Sequence, residues 1–363
     1  MKRVSKIILL ALLSTACVPS PDDTVDIDDV SDLPWAQPTY FPRPRIPTDN
    51  PPTLEKLTLG RALFHDVRLS ENETQSCASC HLVERAFSDG KRLPTGSTGD
   101  LVPRNSMGLA NVAWATSLTW ANPLLTTLEG QALVPLFADH PDPIELGIAT
   151  AVDDVEARLA ADADISAAFV AAFGDDDDAV TIEHAVQAIA TYERSLVSGD
   201  SKYDRYFNGG DSEALTDLEK QGLQLFFSER AECYHCHGGA FFTSAIVTAD
   251  SVVTERGFEN NGLYDVDDAA LPGEHLGLFN VTAVDKDRGR FKVPGLRNVG
   301  VTGPYMHDGS VATLEDVVAH YVKGGALSAH QNPLVKTLDL TAAEQTALVA
   351  FLRALTDDTF IAP

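Results

Sequence analysis

Apolar side chains recur along this 363-residue chain at the three- and four-residue spacing of helices buried on one side. Three such stretches lie in the first half: Leu54 to Phe64 through Leu57, the Ala-rich stretch Val155 to Phe173 with Leu159 and Phe169, and Ile182 to Leu196 through Val186 and Ile189. Strand-like alternation is rare and short. The pattern therefore predicts a mainly α-helical chain with long loops.

Two stretches of the second half carry a capping box, in which a threonine at the helix start pairs with a glutamate three residues later. Thr216 to Glu219 predicts a helix that runs into Cys233, and Thr341 to Glu344 predicts the last helix. The last helix presents an apolar face formed by Leu348, Phe351, Leu352 and Leu355.

Two short strings carry the chemistry of the chain. They are Cys77-Ala78-Ser79-Cys80-His81 and Cys233-Tyr234-His235-Cys236-His237. C-x-x-C-H is the attachment sequence of c-type haem: both thiols form thioethers with the haem, and the histidine ligates iron. A zinc site would need the four thiols clustered, whereas the two pairs lie far apart in the chain. The sequence predicts two covalent haems, with His81 and His237 as axial ligands.

The ligand on the side of each iron opposite the predicted axial histidine decides what the haem can do. A histidine or methionine there limits the haem to electron transfer, whereas an open face admits peroxide. Beyond the start of the chain the methionines are Met107 and Met306. The histidines other than the axial pair are His65, His140, His184, His235, His275, His307, His320 and His330. Each of these, taken alone, is more often a structural residue than an iron ligand.

A helix near the C-terminus places a tyrosine among buried positions. Thr313 caps its start and Gly324-Gly325 ends it. Leu314, Val317, Val318 and Tyr321 follow the i, i+3, i+4, i+7 spacing, so Tyr321 points inward. His320 lies about 100° away around the helix. Spacing alone favours a core tyrosine with a hydrogen-bond partner, and iron is the other candidate partner.

The chain begins with an export signal. Lys2, Arg3 and Lys6 precede an apolar run over 7–13, which is too short to span a membrane. The following residues, Ser14-Thr15-Ala16-Cys17, resemble a lipoprotein signal with Cys17 as the lipidated residue, although Ser14 stands where leucine is usual. The alternative is ordinary cleavage nearby. Both interpretations predict an exported, periplasmic protein, and lipidation would tether it to the membrane.

Four segments are predicted. Residues 1–17 form the signal, and the Pro- and Asp-rich residues 18–52 form an extended tether. Residues 53–207 and 208–363 form two c-type cytochrome-like domains, each with one covalent haem.

The charge balance limits the possible partners. Removal of Lys2, Arg3 and Lys6 with the signal takes the net charge from -26 to -29. So acidic a surface argues against nucleic acid or anionic membrane as a partner and favours a basic or neutral docking surface.

Several strings resemble the bacterial dihaem cytochrome c peroxidases, over about residues 45 to 357 and in the same order. They are Leu59 to Ser70, Pro103-Arg104-Asn105, Leu296-Arg297-Asn298-Val299 and Thr302 to Gly309. More narrowly, the chain resembles the MauG branch and above all the MbnH-type dihaem enzymes, through Leu118 to Pro123 and Ala132 to Pro135.

Two departures from true peroxidases follow from this resemblance. The peroxidases supply a histidine to the first haem from the loop before Pro103, and here that loop, 93–100, contains none. The resemblance therefore implies a first haem that is permanently open. The peroxidases also ligate the second iron with a methionine, which aligns with Tyr321. His–Tyr ligation marks the MauG and MbnH branch, and a phenolate is a hard anionic donor that stabilises high-valent iron.

The resemblance also implies site roles. Glu145 matches the distal acid–base glutamate beside the His81 haem, and Gln131 and Pro135 match residues lining that pocket. Trp120 matches the tryptophan that relays electrons between the haems. The residues that match those holding an interhaem calcium ion are Asn105, Thr302 and Pro304.

The implied activity is peroxide-driven oxidation through a high-valent state shared by the two haems. In MbnH-type enzymes the target is a tryptophan of an MbnP-like copper-binding partner, so tryptophan oxidation is the first hypothesis. The second is hydrogen peroxide reduction with electrons from a small cytochrome or cupredoxin. The third, a non-catalytic electron carrier, is disfavoured by an open His81 haem.

Overall fold

The computed structural model describes residues 30–138, 145–175, 179–252, 254 and 256–362. The predicted signal, Cys17 and the start of the tether lie outside these residues. The helices are α1 (Leu54–Phe64), α2 (Leu128–Phe137), α3 (Val152–Ala160), α4 (Ala163–Phe173), α5 (Ile182–Arg194), α6 (Lys202–Phe207), α7 (Asp217–Phe226), α8 (Phe279–Thr282), α9 (Leu314–Lys323) and α10 (Ala342–Arg353).

Sheet is limited to two short strands among the described residues. β1 (Phe258–Glu259) pairs antiparallel with β2 (Phe291–Lys292), and Phe258 lies opposite Lys292. The predicted mainly α fold is confirmed. In the same part of the chain, no helix has both the length and the apolar character needed to cross a bilayer.

The predicted helix starts in the second half are confirmed. Thr216 and Thr341 form complete capping boxes with Glu219 and Glu344 at the starts of α7 and α10. Thr313 caps α9, which ends at Gly324 in the left-handed conformation, at φ 88°. Helix α7 stops at Phe226, however, so it does not run into the second haem-attachment string.

Two predictions in the first half were wrong in detail. The stretch Val155 to Phe173 is two helices, because the Asp162 carboxylate accepts hydrogen bonds from the backbone N–H groups of Asp164 and Ile165 and starts α4 there. In α1, Leu54 lies at the exposed first turn with 62% of its surface accessible, and the buried face is formed by Leu59, Leu63 and Phe64 instead.

Each half of the molecule contains a pair of helices whose backbones nearly touch. Helix α1 packs on α5 at Gly60, where a Cβ atom would lie 1.9 Å from the Ala188 carbonyl oxygen. Helix α7 packs on α10 at Gly222, where a Cβ atom would lie 1.9 Å from the Ala347 carbonyl oxygen. Only glycine permits so close an approach. One hydrophobic core includes residues between 59 and 196 and a second includes residues between 203 and 355; the division into haem domains stays a prediction.

A buried polar network joins the two halves. Asn111 and Ser198 exchange two hydrogen bonds of 3.0 Å, between the Asn111 side chain and the Ser198 backbone. The Ser198 hydroxyl donates to Asp357 Oδ2 at 3.1 Å, and Asn298 Nδ2 donates to the same hydroxyl at 2.9 Å. Because buried polar groups are costly without partners, this network fixes the relative position of the segments that it links.

The described part of the predicted tether, residues 30–52, contains no α-helix but packs against the body of the molecule. Phe41 and Ile46 are buried, and Trp114 Nε1 donates to the Pro42 carbonyl at 3.0 Å. The prediction of an extended tether did not include these contacts, because so few apolar residues leave no periodic pattern. They are anchors for an otherwise irregular segment.

Glu193 is a carboxyl group buried in α5. Only 6% of the residue is exposed, and its Oε2 has no hydrogen-bond partner among the described residues. Burial raises the pKa of Glu193 to about 8, with the charge of Glu129 raising it further and Arg194 opposing the shift. The folded protein therefore holds this carboxyl protonated at neutral pH.

We expect Gly60→Ala and Gly222→Ala to lower the free energy of unfolding by about 1–3 kcal/mol or more, since either Cβ forces two helices apart. Urea denaturation of the haem-loaded protein measures the change. Gly273→Ala is the control, because a Cβ atom at Gly273 would meet nothing within 4 Å. A loss no larger than that of the control would contradict tight backbone packing at these sites.

Glu193 also predicts a pH dependence of stability. From the ordinary pKa of 4.5 up to about 8 the folded state keeps a proton that the unfolded state has lost, so this residue makes stability fall as pH rises. Glu193→Gln should raise the free energy of unfolding at pH 8 by roughly 4 kcal/mol and change it little at pH 4. The exposed Glu55→Gln variant is the control. An equal effect at both pH values would show that the proton is not involved.

Candidate functional site

The two C-x-x-C-H strings fold into the same tight turn. The residues Cys77–Ser79 and Cys233–His235 each form one 3₁₀ turn, and the following histidine N–H donates to the first cysteine carbonyl, at 3.0 Å for His81 and 2.9 Å for His237. The four thiols are free rather than disulfide-bonded. Both turns therefore present two thiols and an imidazole in the arrangement that covalent haem attachment requires.

The two predicted axial histidines are held alike. His81 Nδ1 donates to the Phe87 carbonyl at 2.6 Å, and His237 Nδ1 donates to the Phe242 carbonyl at 3.0 Å. Burial lowers the pKa of both imidazoles, which favours the neutral, ligating form. An imidazole with its proton on Nδ1 offers the Nε2 lone pair to a metal.

A cavity of about 310 Å³ lies against the second attachment turn. Its walls include Cys233, Cys236, His237 and Tyr321, and they are largely apolar, with Leu296, Val299, Leu314, Val318, Leu348 and Leu352 among them. A macrocycle with an apolar face and thiol-linked edges fits such a space. The residues present therefore fit a c-type haem at this site.

Tyr321 lies on the wall of this cavity, as the helical spacing predicted. Burial raises the pKa of its phenol to about 12, against the opposing effect of a hydrogen bond from the Asn261 side chain. The phenol therefore stays protonated unless a cation replaces the proton, and ferric iron is such a cation. The contact of Asn261 with Tyr321 was not predicted from the sequence, because an asparagine in a loop carries no periodic signal.

The alternative ligands for the second iron are placed differently. Met306 also lines the cavity, but its Sδ accepts a hydrogen bond from Asn261 Nδ2 at 3.3 Å. His320 points elsewhere and donates from Nε2 to the Asn261 carbonyl at 3.0 Å. This arrangement favours Tyr321 over His320 as the candidate ligand.

Trp120 lies at the junction of the two halves and lines the same cavity. Its indole Nε1 donates to the Asn105 carbonyl at 2.8 Å, and its own carbonyl accepts from the Lys292 N–H at 2.8 Å. The Asn105 N–H in turn donates to the His307 carbonyl at 2.9 Å. The ring is thus held in one position between segments of both halves, as a relay would require.

The three residues predicted to hold calcium, Asn105, Thr302 and Pro304, all line this cavity. Asn105 Nδ2 donates to the Lys91 carbonyl at 2.9 Å, so the side-chain oxygen is the atom available to an ion. Amide and carbonyl oxygens are the donors that calcium prefers. The residues present fit the ion.

Lys292 is a cationic residue of the cavity that sequence analysis overlooked. It lines the cavity, forms no ion pair with any described residue, and has its pKa lowered to about 8 by burial. A haem carries two carboxylates, so a cavity-lining lysine here suits that cofactor. Its place between Phe291 and Val293 in an apolar segment was the available signal.

The first attachment turn lies beside Glu145. Its negative charge is one of the causes, after burial, that raise the pKa of the Cys77 and Cys80 thiols. Burial raises the pKa of Glu145 itself. The loop 93–100 packs against this residue, because the Ser97 N–H donates to the Glu145 carbonyl at 2.9 Å. A protonatable carboxyl and a loop without histidine therefore meet at the predicted open haem.

Gln131 and Pro135 lie on α2, one helical turn apart. Thr127 caps this helix, and the Pro135 carbonyl accepts a hydrogen bond from the Leu146 N–H at 2.9 Å. That bond ties α2 to the residue that follows Glu145. The three residues predicted to line the first pocket are therefore linked through one backbone contact.

Comparison with known proteins agrees with this geometry. The family model for di-haem cytochrome c peroxidase matches residues 54–212. The methylamine utilization protein MauG of Methylorubrum extorquens is 34% identical over 321 residues, which cover 88% of this chain and 83% of that protein. The cytochrome-c peroxidase IdrP1 of Pseudomonas sp. strain SCT is 34% identical over 342 residues, which cover 88% and 86%.

A solved structure is also similar over nearly the whole length. It is described as a MauG-like protein associated with microbial copper homeostasis, and it is 44% identical with a TM-score of 0.86, covering 90% of this chain and 97% of that one. The chain therefore belongs to the dihaem cytochrome c peroxidase and MauG family of oxidoreductases, whose members carry two c-type haems.

Proposed function

We propose that this protein uses hydrogen peroxide to oxidise tryptophan side chains of a partner protein. The observation that carries the proposal is Tyr321, which lines the cavity that also holds Cys233, Cys236 and His237. A tyrosine ligand separates the MauG and MbnH branches from the peroxidases that use methionine. The similarity to MauG and to a MauG-like structure supports the same branch.

The first haem site is the place where peroxide reacts. His81 would be the protein ligand of this haem, and the loop 93–100 has no histidine to offer as a second one. When bound, the two haems supply the iron at which peroxide is reduced and the redox centres that store its two oxidising equivalents. Cys77 and Cys80 hold the first haem against the residues of this pocket.

Glu145 moves the proton. Burial raises the pKa of this carboxyl group, which favours its acid form, and a positioned carboxyl group can give and regain a proton. It transfers a proton from one peroxide oxygen to the other as the oxygen–oxygen bond breaks. Gln131 and Pro135 restrict the space beside it, so that peroxide takes one orientation.

Tyr321 sets the character of the second site. As a phenolate it is a hard anionic donor, which stabilises oxidised iron, whereas a methionine thioether stabilises reduced iron. The hydrogen bond from Asn261 holds the phenol oxygen in place. His237 would be the other protein ligand of this haem. This site therefore stores an oxidising equivalent and is not suited to electron transfer at low potential.

Trp120 carries charge between the two sites. Two hydrogen bonds of 2.8 Å, one donated by its indole N–H and one accepted by its backbone carbonyl, hold Trp120 between segments of both halves. A calcium ion on Asn105, Thr302 and Pro304 stabilises the same junction, because Asn105 is also the residue whose carbonyl receives the indole N–H.

The proposed location and partner rest on the export signal, the net charge and a similar structure, and not on the geometry of the site. The export signal places the protein in the periplasm, and a lipid on Cys17 tethers it to the membrane. The net charge of -26 in the full chain favours a partner with a basic or neutral docking surface. An MbnP-like copper-binding protein is the proposed partner, in line with the copper-homeostasis association of the similar structure.

The second candidate is a peroxidase that reduces hydrogen peroxide with electrons from a small cytochrome or cupredoxin. The similarity to the cytochrome-c peroxidase IdrP1, at 34% identity, favours it. The two candidates share the first site and differ in where the electrons come from.

Glu145→Gln tests the first site and the proposed reaction together. The haem-loaded protein is mixed with hydrogen peroxide and the MbnP-like protein, and mass spectrometry follows the partner's tryptophans. We expect wild type to convert a tryptophan to a kynurenine-type product. Loss of the proton-transfer group should slow this about a hundred- to ten-thousand-fold.

The exposed Glu84→Gln variant is the control and should match wild type. Unmodified tryptophans with wild type, together with rapid peroxide turnover when a reduced cytochrome is supplied, would select the peroxidase instead. Equal rates for Glu145→Gln and wild type would remove Glu145 from the mechanism.

Tyr321→Phe removes only the phenol oxygen. In wild type, electron paramagnetic resonance of the resting ferric protein should show one high-spin and one low-spin haem. The variant should lose the His–Tyr low-spin signal and the tryptophan oxidation. Tyr321→Met should restore a six-coordinate second haem without restoring tryptophan oxidation. The control is Tyr206→Phe, which lies on α6. An unchanged low-spin signal in Tyr321→Phe would show that the second iron is ligated by Met306 or His320 and not by Tyr321.

A further inference from the structure

A second group of metal-ligating side chains lies at the edge of the second haem cavity, where His307 is one of the lining residues. His275, His307 and Asp308 bring their ligand atoms within 4.8 Å of one another. His275 Nδ1 and His307 Nε2 are 3.0 Å apart. The first residue lies in the turn Gly273–Leu276 and the other two lie in the segment that follows the predicted calcium residues.

The spacing of the two nitrogens suits a shared metal ion. Two imidazole nitrogens bound to one tetrahedral ion at about 2.0–2.1 Å lie roughly 3.3 Å apart. A 3.0 Å separation therefore needs to open by only about 0.3 Å to admit an ion by this geometry. In the absence of an ion, the same two atoms form a hydrogen bond in which one ring is the donor.

The environment keeps these rings in the ligating form. His307 is 4% exposed and stacks on Phe291 with ring centroids 3.6 Å apart. Burial lowers the pKa of His307 and of His275, which favours the neutral form of both imidazoles. A narrow cavity of about 10 Å³ adjoins them, lined by Tyr264, His275, Phe291 and His307. It has room for a small ion and not for an organic ligand.

The carboxylate of the group is already oriented. Asp308 Oδ2 accepts from the Tyr264 hydroxyl at 2.6 Å, and Oδ1 accepts from the Ser310 N–H at 3.1 Å. Hydrogen bonds of this kind to a ligating carboxylate fix its direction and tune the metal site.

Charged neighbours of both signs face the group. Asp308 and Glu274 raise the pKa of His275, whereas Arg104 and Arg92 lower it. The Arg104 guanidinium is directed to the Glu274 carbonyl at 2.5 Å and lies over the Phe291 ring at 5.3 Å. The arginines therefore weaken the attraction for a cation without occupying the ligand atoms. Binding must come from the donors themselves.

A second group, Glu229, Glu232 and His235, provides a contrast. Its side chains are more exposed, Glu229 accepts from the Tyr234 hydroxyl, and Lys336 Nζ donates to Glu232 at 2.8 Å. The carboxylates there already have partners, and the group lies at the surface. It serves as a matched control.

We propose that His275, His307 and Asp308 bind one divalent transition-metal ion of the zinc or copper(II) class, separate from the haem irons and from calcium. Two imidazoles and a carboxylate select such ions, while calcium requires oxygen donors. The ion joins the turn Gly273–Leu276 to the segment whose His307 carbonyl holds the Asn105 N–H. The ion thus links two segments at the edge of the junction between the halves. Its binding does not depend on the proposed reaction.

Zinc binding to the haem-loaded protein tests the proposal. The protein is stripped with chelator, returned to excess calcium, exposed to Zn²⁺ alone, and separated from free metal by gel filtration. We expect wild type to retain one equivalent of zinc, and His275→Gln to lose it with an unchanged haem spectrum. His235→Asn, in the control group, should retain it.

X-ray absorption at the zinc edge gives an independent result that needs no variant. Two imidazole nitrogens should appear in the first coordination shell of the retained zinc. Zinc retention by wild type no greater than by His275→Gln would overturn the proposal. So would loss of the zinc in His235→Asn, or a shell made of oxygen alone. The readout is metal content and coordination, so it stands or falls apart from tryptophan oxidation.

Discussion

The covalent attachment turn is the constraint on which the rest of each half depends. In both C-x-x-C-H segments one tight turn places two thiols and an imidazole together, and the imidazole proton is committed to a nearby carbonyl, at 2.6 Å for His81 and 3.0 Å for His237. A cofactor fixed at these points must lie against whatever the chain provides opposite them. The helices therefore have to supply an apolar wall, and the close pairs at Gly60 and Gly222 bring those helices near enough.

The two sites share the same attachment turn but differ in the residues that lie across from it. At the first site a carboxyl group, Glu145, with its pKa raised by burial meets a loop that lacks histidine. At the second, Tyr321 lines a largely apolar cavity beside His237. One arrangement suits proton transfer at an open iron, and the other suits storage of oxidising power. The division of labour in the proposed reaction rests on these few side chains.

The junction between the halves concentrates the remaining polar groups. Trp120, Asn105, Lys292 and His307 meet there through backbone and side-chain hydrogen bonds of 2.8–2.9 Å. A cavity-lining lysine without a protein counter-charge and a histidine pair with one buried ring are costly in a low-dielectric environment unless something compensates them. Haem carboxylates suit the lysine, and the proposed divalent ion suits the histidines. In both cases an unusual polar side chain has a bound group as its partner.

The sequence by itself determined the family and the mainly helical fold, and it predicted the haem attachment residues and the axial histidines, because these depend on contiguous residues. Local capping chemistry also predicted the helix starts at Thr216, Thr313 and Thr341. Periodicity failed where a local hydrogen bond overrode it, as at Asp162, and where burial was decided by a partner helix, as for Leu54 in α1. Only the tertiary structure brought Glu145 to Cys77, placed Asn261 on Tyr321 and paired His275 with His307, since these contacts join segments far apart in the chain whose relative positions no local pattern records.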